Sequence, residues 1–136
     1  MLNDNDLTAE RKITKARSQL IMDDPFFGNI AMHLDIMPDI WGILPCRTMA
    51  TDGERLIYDV NFIDTLDVQE SKFGIVHEVA HVAFKHHLRR GNRDFGTWNN
   101  ACDQAVNHIL IDAGYHMPKN MPMPDSGFKG MGAEEI

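Results

Sequence analysis

Residues 73–91, FGIVHEVAHVAFKHHLRRG, constrain the fold more than any other stretch of the chain. At about 100° per residue, Phe73, Ile75, Val76, Val79, Ala80, Val82, Ala83 and Phe84 spread round nearly the whole circumference of a helix. A helix apolar on most of its surface belongs in an interior. The rest of the chain must therefore supply elements that wrap it. With 136 residues, 43% of them hydrophobic and 24% charged, the chain has the size and composition of one ordinary globular domain.

Those elements can be read in order. Asp6 or Thr8 can cap a first helix running to about residue 22, with Ile13, Ala16 and Leu20 at helical spacing. The Asp24-Pro25 step ends it. Ile30, Met32, Leu34 and Ile36 then alternate with Ala31, His33 and Asp35, the pattern of a half-buried strand. Pro38 and Pro45 bracket an irregular segment around Trp41. Segments 46–50 and 55–60 read as strands joined by a Thr51-Asp52-Gly53 turn. Asn61 can open a short helical turn. Asp67 with Glu70 forms a capping box for the main helix, which is expected to run from Val68 to Arg90 and stop at Gly91. Thr97 can cap a last helix from Trp98 to Ala113. The expected architecture is α+β, a small antiparallel sheet flanked by helices. A domain spans 1–116, and a tail of residues 117–136, rich in Pro, Gly and Met, is largely irregular.

On the buried helix one stripe is polar. His77 and His81 are four residues apart, so their rings project side by side from adjacent turns. Two neutral imidazoles so placed can each reach one zinc ion at about 2.0–2.1 Å. Glu78 lies about 100° round from His77, placed to take a proton from a metal-bound water rather than to bind the metal. The plainer alternative is a pair of core histidines hydrogen-bonded to neighbours. It must account for two rings and an acid together on a core helix, where unpartnered polar groups are costly.

Zinc hydrolases use three protein ligands and one open position. His87 completes an HExxHxxxxxH spacing, but Phe84 stands where that pattern has a glycine to turn the chain. On a straight helix His87 points about 80° from His77 and about 120° from His81. His86 points further off still, leaving both as neighbours, packing groups or surface groups. The last helix offers another source. Trp98, Ala101, Cys102, Ala105, Ile109 and Leu110 form its core stripe, and Asn99, Asp103 and Asn107 form a polar ridge on the shoulder. Asp103 is the expected third ligand, with Asn107 able to orient it or the substrate. Cys102 falls on the side of this helix away from the metal. Arg89, Arg90, His87 and Tyr115 are the candidate donors to a developing oxyanion.

The charge balance narrows the partners. Thirteen Lys and Arg against 20 Asp and Glu leave a net charge of −7, a poor footprint for nucleic acid. The local cluster Lys85, Arg89, Arg90 and Arg93 reads as a solvated face. No apolar run approaches the roughly 20 residues of a membrane span, and the polar N-terminus lacks the apolar stretch of a signal peptide. Cys46 and Cys102, far apart and in no CxxC pair, read as buried free thiols in a reducing cytoplasm.

The run HEVAHVAFKHHLRRGNRDFGTWNNACDQAVNHIL, with ATDGERLIYDVNFIDTL ahead of it, resembles the metallopeptidase domain found N-terminal to von Willebrand factor A-like domains in bacterial and phage proteins. The resemblance spans roughly residues 8–136. It rests on His77, Glu78, His81, a histidine at 86 or 87, Arg90, Trp98, Asn99, Ala101, Asp103 and Asn107. It implies a zincin-like fold with a sheet edge open to an extended peptide, and a peptide or protein substrate. It also implies a von Willebrand factor A-like partner, and a chain that is either a stand-alone form or a piece of a longer protein whose last residues begin another helix. The expected function is a zinc hydrolase with Zn²⁺ on His77, His81 and Asp103 and with Glu78 as general base. His87, Arg90, Asn99 and Asn107 would support it. The competing reading is a catalytically silent metal-binding adaptor; a zinc nuclease is disfavoured by the acidic charge.

Overall fold

The computed structural model describes residues 7–44, 48–119 and 121–136. Asp6, Pro45 and Cys46 lie outside the described residues, so the expectations placed on them do too. Thr8 caps α1 (Ala9–Asp23) by accepting from the Arg11 N–H. Ala9, Ile13, Ala16 and Leu20 make its buried stripe. Asp24 ends α1 and caps α2 (Pro25–His33), accepting from the Phe27 N–H. Segment 30–36 is thus mostly helix, not the strand its alternation suggests. Phe27, Ala31 and Leu34 also stand at helical spacing, and all three are buried, whereas Met32 is half exposed. Gly28 decides the packing: a Cβ there would lie 2.6 Å from Ile21 Cα and 2.9 Å from the Leu20 carbonyl oxygen. The two helices therefore touch through backbone at that point.

Three short strands come next: β1 (Asp35–Pro38), β2 (Met49–Thr51) and β3 (Arg55–Tyr58). Their order is β1-β3-β2, with β1 parallel and β2 antiparallel to β3. The sheet is mixed rather than antiparallel, because β1 pairs with β3 rather than with its neighbour in sequence. The expected turn between β2 and β3 is present. Asp52 accepts from the N–H groups of Glu54 and Arg55, and Gly53 takes a φ of 96°.

Asp59 caps α3 (Val60–Asp64). The Asp67–Glu70 capping box opens α4 (Val68–Ala83), with both bonds formed, at 2.7 and 3.2 Å. Val68, Phe73, Ile75, Val76, Val79 and Ala80 are buried and join Ile13, Ala16 and Leu20 of α1 in one core. Gly74 faces the sheet, where a Cβ would come within 2.8 Å of Met49 Sδ. That small residue lets β2 lie close against α4.

Here the structure departs from a single long helix. α4 ends at Ala83, Lys85 takes a left-handed φ of 55°, and α5 (His86–Arg89) starts in a new direction. No glycine marks the break. α6 (Phe95–Asp112) begins earlier than Thr97; Asp94 is its cap and accepts from both the N–H and the hydroxyl of Thr97. The tail makes two short 3-10 turns, Ser126–Phe128 and Ala133–Glu135. It is fastened to α6, for Ala133 is buried with Trp98, Ala101 and Cys102, and Asp125 N–H donates to Gln104. Among the described residues no helix is long and apolar enough to cross a membrane.

Candidate metal centre

Between β2 on one side and α5 and α6 on the other, α4 floors a cleft of about 570 Å³. Its lining includes His77, Glu78, His81, His86, His87, Arg90, Asn99 and Asp103. Most of the residues singled out in the sequence therefore meet there. The ridge on α6 runs from the exposed Asn99 through the half-exposed Asp103 to the buried Asn107, which lies behind His77.

Three atoms converge at the floor. His77 Nε2 is 3.1 Å and His81 Nε2 3.0 Å from the same oxygen, Asp103 Oδ1, and the two nitrogens are 3.0 Å apart. Asn107 Oδ1, 2.8 Å from His77 Nδ1, can only accept. It fixes the His77 proton on Nδ1 and leaves Nε2 as a bare lone pair. A lone pair and a carboxylate oxygen at that distance repel unless a cation sits between them. Four ligands placed tetrahedrally about a zinc-sized ion lie roughly 3.3 Å apart, so the observed triangle is within a few tenths of an ångström of one face. His77, His81 and Asp103 thus form a group that could hold a metal ion.

Without a metal, a proton takes the cation's place. Burial opposes charge on the His77 ring, but the Asp103 carboxylate, with Glu78 and Asn107, outweighs it and raises the His77 pKa. Burial also works against the charged form of Asp103, yet the two imidazoles hold its carboxyl well below the usual range. Glu78 goes the other way. Burial pushes its carboxyl up, helped by Asp103, against the pull of His77 and His81. Among the described residues no hydrogen bond or ion pair engages its oxygens, which leaves them available in the cleft.

The break at Lys85 redirects the residues after it. His86, expected to point away, is buried, and its Nδ1 lies 2.9 Å from His81 Nδ1. Cys102, placed by helical geometry on the far side of α6, belongs with His81 and His86 to a second group of side chains within 4.8 Å of one another. Helical spacing could not reveal either contact, since it assumes an unbroken helix. His87 lies instead at the cleft mouth, its Nε2 3.4 Å from where a Gly53 Cβ would sit. The basic cluster is not simply solvated. Arg90 stands over the Phe95 ring at 5.4 Å and Arg93 over Trp98 at 5.2 Å, while Arg89 pairs with Glu134. Two oxyanion candidates are engaged elsewhere. Arg89 also donates to the Phe84 carbonyl, and Tyr115 donates to Asp24 at 2.6 Å, outside the cleft.

A family model described as "Putative metallopeptidase domain" matches residues 8–136. The chain belongs to this family. The match covers every element from α1 to the last turn of the tail, so the cleft and its converging side chains lie wholly within the family domain. No curated protein and no solved structure matches the chain.

Proposed function

We propose that the cleft is the active site of a zinc-dependent, zincin-like peptidase. The observation that carries this reading is the triangle of His77 Nε2, His81 Nε2 and Asp103 Oδ1, with Glu78 beside it in the cleft and engaged by no hydrogen bond or ion pair among the described residues. Two imidazoles and one carboxylate are a donor set of catalytic zinc sites, which keep a further position open. When bound, zinc supplies a Lewis acid that makes water acidic near neutrality. Glu78 accepts the proton of the attacking water and passes it to the leaving amine. Its raised pKa suits a group that must both take and return a proton.

An edge strand orients the substrate. β2 pairs with β3 on one side, and Met49, Ala50 and Thr51 line the cleft on the other. An extended peptide can add to this strand through backbone hydrogen bonds and lie across His77 and Glu78. Arg90 and His87 stand at the mouth of the cleft, where their N–H groups can meet an oxyanion or a substrate carboxylate.

The test pairs metal content with turnover. Wild-type protein should carry one equivalent of zinc, lost in both His81→Ala and Asp103→Ala. Glu78→Gln should keep its zinc and lose hydrolysis of an unfolded protein substrate. A Glu78→Gln variant that cleaves as well as wild type contradicts the catalytic role. Wild-type protein that carries zinc yet cleaves no unfolded substrate favours the silent adaptor.

A further inference from the structure

His77 and His81 each present Nε2 to the metal position, and each has its Nδ1 facing a buried side chain. For His77 that partner is Asn107, whose oxygen can only accept. For His81 it is His86, 5% exposed, with its backbone carbonyl held at 2.9 Å by the Trp98 indole N–H. The residue before it, Lys85, is the one non-glycine residue with positive φ among those described. A residue with a Cβ is strained in that conformation, and on an unbroken helix His86 would point away from His81. The strain is therefore tied to one outcome, the placement of the His86 ring behind His81.

We propose that His86 is the positioning residue of His81, and that the left-handed turn at Lys85 exists to deliver it. The inference rests on the metal reading of His77, His81 and Asp103. His86 Nδ1 accepts from His81 Nδ1–H, its own proton residing on Nε2. This holds His81 Nε2 as a lone pair aimed at the position shared with His77 and Asp103. An imidazole without such a partner distributes its proton over both nitrogens and turns about its Cβ–Cγ bond, and outer-shell partners of ligating histidines typically contribute 10–100-fold to metal affinity. The alternative for the same atoms is a second metal on His81, His86 and Cys102. It is the weaker reading, because His81 would then have to ligate through both ring nitrogens and give up its last N–H proton.

The experiment uses two substitutions and two readouts. His86→Leu keeps bulk and removes the acceptor. His86→Asn places an oxygen where Nδ1 stood. Zinc affinity, measured by competition with a chromogenic chelator, should fall about 10–100-fold in His86→Leu and return to within a few-fold of wild type in His86→Asn. The second readout needs no metal: long-range ¹H–¹⁵N spectra of metal-free protein should show His81 protonated on Nδ1 in wild type and His86→Asn. In His86→Leu that tautomer should lose its dominance. Unchanged zinc affinity in His86→Leu, or an Asn variant no better than Leu at equal thermal stability, overturns the proposal. So does a second cobalt equivalent with a thiolate charge-transfer band that Cys102→Ser abolishes. If wild-type protein binds no zinc while His81 still shows the Nδ1 tautomer, the metal reading fails and the contact with His86 stands as a structural one.

Discussion

Ile75 and Val76 in the middle of α4 lie wholly inside the core with residues of α1, while His77, Glu78 and His81, on another face of the same helix, look across a cleft at α6. The apolar part is closed by backbone-close packing and the polar part is left open on one side. Closure comes from small or fitted residues: Gly28 brings α2 onto α1, and Gly74 admits Met49 of β2. Openness comes from a ridge of Asn99, Asp103 and Asn107 that faces α4 with polar atoms instead of apolar bulk. One helix thus serves as both anchor and site. The anchor fixes the rings of His77 and His81 to the rigid centre of the fold, which is the support a metal centre requires.

Perturbing the two parts should produce different kinds of damage. Ile75→Ala opens a cavity in the closed part, where Ile75 is fully buried, and should lower unfolding free energy by about 2–5 kcal/mol. Urea denaturation measures this, and the zinc affinity of the protein that remains folded should hardly change. A Gly28→Ala variant must push α1 and α2 apart, since the new Cβ meets backbone atoms of Ile21 and Leu20. A loss of about 1–3 kcal/mol is expected, again with little effect on metal affinity. If either change weakens zinc binding as much as it weakens the fold, the two parts are not separable.

The smallest effect belongs to the polar part and concerns pH. In metal-free protein the His77 pKa is raised above 6.5. A raised histidine contributes stability that is fully present below its unfolded value and is lost as pH rises through its folded value. The melting temperature of metal-free protein should therefore decline modestly upward from about pH 6.5. With zinc the sign reverses, because deprotonated ligands bind metal better as pH rises. Equal pH slopes with and without zinc would mean that the metal does not replace the proton at His77.

Much of the site was legible because its geometry is local. Four-residue spacing puts His77 and His81 side by side, and the same spacing on α6 lines up Asn99, Asp103 and Asn107. The Asp67–Glu70 box and the Thr51-Asp52-Gly53 turn are likewise short-range signals, and both formed. The features that escaped depend on tertiary context. Segment 30–36 carries two periodicities at once, and contact with α1 through Gly28 selects the helical one. The parallel pairing of β1 with β3 is a long-range choice with no local mark. The turn at Lys85 uses a residue that ordinarily avoids positive φ, so nothing in the sequence announces the break that brings His86 and Cys102 toward His81.

Everything proposed for the cleft depends on His77, His81 and Asp103, and not the neighbouring His81, His86 and Cys102, holding the metal. X-ray absorption at the zinc edge distinguishes the two groups directly. Two imidazole nitrogens and additional oxygen scatterers are expected at about 2.0–2.2 Å, with no sulfur. A sulfur scatterer at about 2.3 Å would place the metal on Cys102 and contradict the assignment.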